Sequence, residues 1–278
     1  MKLHSHLKIA SPGARNDTPA LLEVHRLSKN FGGLHALQAV DLKVYPGEIV
    51  GIIGPNGSGK TTFFNVLSGI QQATTGSIRF AEHADIARLP PHRITRCGIA
   101  RTFQNQRLFN QMTVLENVLA GMVPRTSAGL VPIMLGLSGA RREKVAAEQR
   151  AMELLGLFGT RLGPRRERTA ISLSYANRRR LEIARALATG PRLLLLDEPG
   201  AGMNPNETRE LMGDIQRIRD LDVTIVLIEH DMHLVKGLCS RVVAFDHGAK
   251  LTEGSFDEVR NHPMVIEAYL GHRAAVEV

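Results

Sequence analysis

The segment GPNGSGKTT (Gly54–Thr62) fits the pattern G-x-x-x-x-G-K-[ST] and lies between a short apolar run, EIVGIIG (Glu48–Gly54), and a helical pattern. Few features constrain a fold as tightly. Gly54, Gly57 and Gly59 let the backbone turn so that successive N–H groups face inward around an anion. Pro55, Asn56, Ser58 and Thr62 complete the loop, and the helix begun near Lys60 adds its positive N-terminal end. The pattern implies nucleotide binding, with Lys60 reaching the β- and γ-phosphates and the Thr61 hydroxyl ligating Mg²⁺.

Further apolar runs, RLLLLDEP (Arg192–Pro199) and VTIVLIEH (Val223–His230), have no wet face. Strands apolar on both sides belong to a parallel sheet covered by helices, so the fold class is α/β. Asp197 ends one such strand, and its carboxylate is expected at the carboxyl edge of the sheet, where open α/β folds bind ligands. It is a candidate Mg²⁺ ligand. Glu198 follows and is placed to polarise an attacking water, while His230, ending another buried strand, is placed to donate to the γ-phosphate.

From Leu21 to Glu48 the pattern differs. Val40, Leu42 and Val44 alternate with Asp41 and Lys43, predicting a sheet with one solvated face. RVVAFDHGAKLTEG (Arg241–Gly254) carries a turn signal at Asp246–Gly248 and predicts a hairpin. Between about Met112 and Gly190 the chain reads as helical. Thr113 and Glu116 form a capping box, Val145, Met152 and Leu155 share one predicted helix face, and Gly156 and Gly159 are candidate stops. A last helix is expected from Pro263 to Gly271. The expected organisation is a mobile tail over residues 1–20, one domain over 21–271 with a helical insertion at about 112–190, and a short tail over 272–278.

Composition narrows the function. With 278 residues, 43% apolar and 22% charged, the chain is an ordinary globular protein with enough length for a substantial core. The net charge of +8 favours anionic partners. Two cysteines, Cys97 and Cys239, make no disulfide framework and read as reduced structural thiols; the 11 histidines form no metal-site pattern. The longest uncharged stretch, Thr126 to Ala140, falls short of the ~20 residues a spanning helix needs, and the N-terminus lacks the apolar core of a secretory signal.

ISLSYANRRRLEIARAL (Ile171–Leu187), immediately before LLLLDEP, resembles the signature segment of ABC-transporter ATPases. RTFQN (Arg101–Asn105) resembles their glutamine loop, AGMNP (Ala201–Pro205) their D-loop and LIEHD (Leu227–Asp231) their switch histidine. The resemblance covers about Leu21 to Gly271. It implies a phosphate-loop ABC cassette with a mainly parallel core sheet, an N-terminal antiparallel β subdomain and an inserted α-helical subdomain. It also implies ATP and Mg²⁺ as cofactors, and two cassettes packed head to tail around each nucleotide. Phe31 would stack on adenine, Gln104 would contact Mg²⁺ and the attacking water, and Ser174 would reach the γ-phosphate held by the opposite subunit. Ser174 is also a good N-cap for the helix that follows it. Tyr175 and Ala176 replace the two glycines common in this family's signature, and Asn177 replaces its glutamine. The Ala176 methyl is expected to weaken the signature's contact with a partner's nucleotide, so Ala176→Gly is expected to raise hydrolysis.

RTFQNQRLFNQMTVLENV, LSYANRRRLEIARAL, AGMNPNET, LIEHDMHLV and EAYLG resemble the ATP-binding subunits of branched-chain amino acid importers. This implies two membrane permeases, a second ABC ATPase subunit as homo- or heterodimer, and an extracytoplasmic solute-binding protein reached indirectly. The location implied is peripheral, on the cytoplasmic face of the inner membrane. Carriers of urea, amides or lipopolysaccharide are alternatives within the same resemblance. Leu108, Phe109 and Met112 are candidates for receiving the permease, beside the alternative of plain core packing, and the apolar connection Gly129–Ala140 is a candidate to touch permease or lipid, or to fold onto its own helices.

A nucleic-acid or ribosome ATPase is the rival class, since a basic chain suits phosphates. Arg161, Arg165, Arg166 and Arg168 form one basic clump and Arg178, Arg179 and Arg180 another. Three successive helical positions point different ways and make no single phosphate-binding face. Aromatics are only 4%, with no Trp, which leaves little for base stacking. No nucleic-acid partner is expected.

Overall fold

The structure is a computed structural model and describes residues 18–104, 106–123 and 138–274, with side chains omitted at 138–142 and 271–274. The stretch 1–17, most of the connection Gly129–Ala140, Asn105 and residues 275–278 lie outside the described residues.

Two sheets organise the chain. Strands β1 (Leu22–Phe31), β2 (Leu34–Val44) and β4 (Thr75–Phe80) form an antiparallel sheet in the order β2-β1-β4. Val40, Leu42 and Val44 are buried on β2 while Asp41 and Lys43 are exposed, as their alternation predicts. The larger sheet runs β5-β6-β7-β3-β8-β9, from β3 (Ile49–Ile53), β5 (Ile99–Arg101), β6 (Leu193–Asp197), β7 (Thr224–Ile228), β8 (Arg241–Asp246) and β9 (Ala249–Gly254). All its pairings are parallel except β8 with β9, which form the expected hairpin. His247 and Gly248, with φ of 43° and 80°, make its two-residue turn, and two successive positive φ values give a turn that matches the right-handed twist of the strands.

The apolar strands feed two opposite layers. Val50, Ile52, Leu195, Val226 and Phe245 pack with α1 (Lys60–Leu67), α2 (Pro91–Cys97) and the antiparallel sheet. Ile49, Leu194, Leu196, Ile225 and Leu227 face the other way. There they pack with α3 (Val114–Met122), α4 (Ser138–Gly156), α5 (Tyr175–Ala188), α6 (Pro205–Arg219) and α7 (Met232–Leu238). The period of two therefore supplies both cores from single strands. Helices α8 (Phe256–Arg260) and α9 (Pro263–Ala274) close the second layer through Phe256, Val259 and Val265.

Thr113 caps α3 with the predicted box, its hydroxyl accepting from Glu116 N and its N–H donating to the Glu116 carboxylate. Helix α4 stops at Gly156, but its buried face differs from the predicted one. Ala151, Leu154 and Leu155 are buried, whereas Val145 is 58% and Met152 36% exposed. Of the predicted trio only Leu155 lies in the core, because Ala147 and Ala151 let α4 approach its neighbours and set the rotation about its axis. The last helix starts at Pro263 but carries on through Gly271 to Ala274. A glycine inside a helix costs only ~1 kcal/mol and does not end it unless the backbone turns left-handed there.

Candidate functional site

Because its core strands run parallel, the large sheet puts the ends of β3, β5, β6 and β7 at one edge. Those ends carry the Gly54–Thr62 loop, Arg101 to Gln104, Asp197–Glu198 and Glu229–His230. A cleft of about 490 Å³ opens there, lined by Phe31, Asn56, Gly57, Ser58, Gly59, Lys60, Thr61, Thr62, Glu198 and His230. Crevices at the carboxyl edge are where open α/β sheets bind ligands.

The loop is closed around the Lys60 ammonium, which donates to Gly54 O at 2.7 Å, Pro55 O at 2.8 Å and Ser58 Oγ at 3.3 Å. A Cβ on Gly59, at φ 97°, would stand 2.7 Å from Ala36 O, and one on Gly54 would run into the Phe245 carbonyl. Only glycine makes this cradle. Burial pulls Lys60 down to about 8, against the opposing pull of Glu198 and Asp197. A buried cation held by the loop's own carbonyls on the wall of an open cleft fits a polyphosphate. The Thr61 hydroxyl, Gln104 amide and Asp197 carboxylate are hard oxygen donors, as Mg²⁺ requires beside substrate phosphates.

Glu198, Gln104 and His230 come together. Gln104 Nε2 donates to Glu198 Oε2 at 3.0 Å, and His230 Nε2 lies 3.2 Å from Glu198 Oε1. Asp197 is buried, and Oδ2 accepts from Arg101 Nη2 at 2.8 Å. Phe31, at the end of β1, is 42% exposed on the cleft wall, with Lys29 Nζ 4.8 Å from its ring centre.

Ser174 and Ala176 do not line the cleft. Ser174 is the N-cap of α5, its hydroxyl accepting from Asn177 N at 3.4 Å, and it is exposed. Ala176 is 3% exposed, so its methyl is covered by the chain itself and does not stand on the surface beside Ser174. Arg179 and Arg180 are buried and paired internally, Arg179 with Glu182 and Arg180 with Asp214 and Glu210. The basic run on α5 is therefore not a solvent-facing anion patch.

Sequence reasoning assigned no role to Arg101, Arg179 or Glu229. The Glu229 carboxylate accepts from Gly200 N at 2.6 Å and His230 N at 3.0 Å, tying the ends of β6 and β7 together. Burial holds it above the usual carboxylate range. For Arg101 and Glu229 the available signal was a charge inside or beside an otherwise apolar strand; Arg179, on α5, gave none. Cys97 and Cys239 are unpaired thiols. Among the described residues, no helix is long and apolar enough to cross a membrane.

A family model described as "ABC transporter" matches residues 37–201, and one described as "Branched-chain amino acid ATP-binding cassette transporter" matches 249–275. The chain is 45% identical over 252 residues to the high-affinity branched-chain amino acid transport ATP-binding protein LivG of Escherichia coli K12, covering 90% of this chain and 98% of that protein. It is 44% identical over 254 residues to the corresponding protein BraF of Pseudomonas aeruginosa, with the same coverage. Among solved structures, the ADP conformation of an ATP-binding cassette of an ABC transporter superposes with a TM-score of 0.79 at 31% identity, covering 91% of this chain and all of that one.

Proposed function

This chain belongs to the ABC transporter family and is an ATP-hydrolysing cassette, and on that premise we propose that it powers an importer of branched-chain amino acids. The observation that carries the solute class is the likeness to LivG and BraF along nearly their whole length. The partners follow from that class: two membrane permeases, a second cassette and, indirectly, an extracytoplasmic binding protein. The cassette is peripheral on the cytoplasmic face of the inner membrane. Residues 21–271 act as one cassette, the helices of about 112–190 forming its inserted subdomain.

In hydrolysis a water oxygen bonds to the γ-phosphorus as the bond to the bridging oxygen of ADP breaks. Glu198 accepts a hydrogen bond from that water and takes its proton, while Gln104, bonded to the same carboxylate, orients it. Lys60 and the loop amides offset the phosphate charge, His230 donates to the γ-phosphate, and the Phe31 ring takes the adenine. Thr61, Gln104 and Asp197 would hold Mg²⁺, which would supply positive charge against the polyphosphate. Ser174 serves the nucleotide of the opposite cassette, which accounts for its place outside this cleft. ATP closes the pair only by as much as it prefers the closed state.

Phe109 is 51% exposed, with the Arg185 guanidinium 5.4 Å from its ring centre, beside a second cleft of about 270 Å³. Phe109, with the half-buried Met112, receives the permease, whereas Leu108 packs against the core, the alternative its apolar character left open. The test is purification of the chain from gently solubilised native membranes with identification of its companions. Two multi-spanning permeases and a second cassette are expected; nucleic acid or ribosomal proteins without a permease would overturn the transport role. In parallel, Lys60→Ala should weaken ATP binding, and Glu198→Gln should bind ATP and stall.

A further inference from the structure

Glu198 holds a φ of 47°, in the left-handed region that a glutamate enters only under strain. Such a conformation persists where neighbours over-determine it. Its N–H donates to Ile228 O at 2.9 Å, and its carbonyl accepts from Arg179 Nη2 at 2.7 Å. The same nitrogen donates to Asp197 O at 3.0 Å. Arg179 is fully buried, and its other terminal nitrogen donates to Glu182 Oε2 at 2.9 Å and to the Phe103 carbonyl. Glu182, 2% exposed, accepts in turn from Phe103 N at 3.0 Å. One ion pair on α5 thus grips both backbone groups of Phe103, the residue before Gln104, and the carbonyls of Asp197 and Glu198.

We propose that the Arg179–Glu182 pair is a positioning element for hydrolysis, holding Gln104 and Glu198 in register so that both meet the same water. Neither residue touches the reacting atoms; both act through the backbone of the two that do. A buried ion pair is weak evidence for stability, because apolar residues of similar volume often replace one without loss. What such residues cannot replace is the four backbone contacts that join β5, β6 and α5 at this edge. The inference rests on Glu198 as the base that takes the water's proton.

The test uses the full chain, with ATP turnover, affinity for a fluorescent ATP analogue and thermal midpoint measured together. Arg179→Met with Glu182→Leu removes both charges and their anchoring bonds at once, and should retain a midpoint near that of the parent. The expected result is a kcat about 10- to 100-fold lower with nucleotide affinity within about threefold, the scale that misplacement of reacting groups produces. A stable double variant with parental kcat would overturn the proposal, since a packing role would have been restored with the stability. If that variant does not fold, Arg179→Lys keeps the charge but gives up the fork in which one nitrogen holds Glu182 and the Phe103 carbonyl while the other holds the carbonyls of Asp197 and Glu198. It should lose kcat with affinity intact, and an unchanged kcat overturns the proposal equally. Glu198→Gln measured alongside separates the two readings. Normal turnover there removes Glu198 itself, whereas a stalled Glu198→Gln beside fully active pair variants removes only the pair. In the Glu198→Gln background the pair variants should add no further loss, as expected of groups acting as one unit.

Discussion

Arg101 Nη2 donates to Asp197 Oδ2 across 2.8 Å, and both side chains are 5% exposed. The guanidinium also bonds Asn65 Oδ1 on α1 and the Oγ of Ser68, that helix's C-cap, and it stands 5.5 and 5.2 Å from the ring centres of Phe64 and Phe103. A carboxylate proposed to hold Mg²⁺ is thus held by a cation of the chain itself, three residues before Gln104.

Removing one member of such a pair leaves a buried charge without its partner, which typically costs ~3–5 kcal/mol. Arg101→Met should therefore lower the free energy of urea unfolding by about that amount. Asp197→Asn added to Arg101→Met should recover part of the loss. Two losses that simply add would show that the pair is not energetically coupled.

Lys60 titrates at about 8 in the surroundings the chain provides, against an ordinary value of 10.5. Burial is the larger cause, and Glu198 and Asp197 oppose it. Between those values the unfolded chain holds a proton that the folded chain lacks. This group's contribution to stability therefore rises with pH across that window, and its penalty is complete below about 8. Phosphates favour the charged ammonium. ATP affinity should be flat below pH 8 and fall above it, with proton uptake on binding. Titration calorimetry at pH 8.5 in two buffers of different ionisation heat reads that uptake directly; identical heats would refute it.

The signature alanine invites a different outcome from the one its sequence position suggests. Since Ala176 is covered by its own chain, Ala176→Gly should leave turnover of the assembled transporter within about twofold. It should lower stability by roughly 0.5–1 kcal/mol through lost helix propensity near the start of α5. A clear rise in hydrolysis would restore the view that the methyl blocks a partner's phosphate.

Burial pushes the Cys239 thiol up to about 12, and it lies against Gly51 on β3. Only about one thiol in ten thousand is ionised at pH 8, and the thiolate is the reactive form. A disulfide reagent at pH 8 should label Cys97 first and Cys239 only in denaturant. Two equally fast thiols in the folded chain would contradict that burial.

The α/β class, the phosphate loop and the edge of the sheet that carries Asp197, Glu198 and His230 were legible from the residues alone. Each is a local matter: glycine backbone freedom, a run of apolar residues, a charge at the end of a strand. The capping box at Thr113 and the turn at His247–Gly248 were legible for the same reason. The face α4 buries was not, because rotation about a helix axis is settled by the neighbours it packs against. Nor were the partners of Arg101, Arg179 and Glu229. Those contacts join segments 18 to 96 residues apart wherever they leave their own element. A charged side chain in a sequence does not declare its partner; only the packing of β5, β6, β7 and α5 at one edge brought these groups within hydrogen-bonding reach.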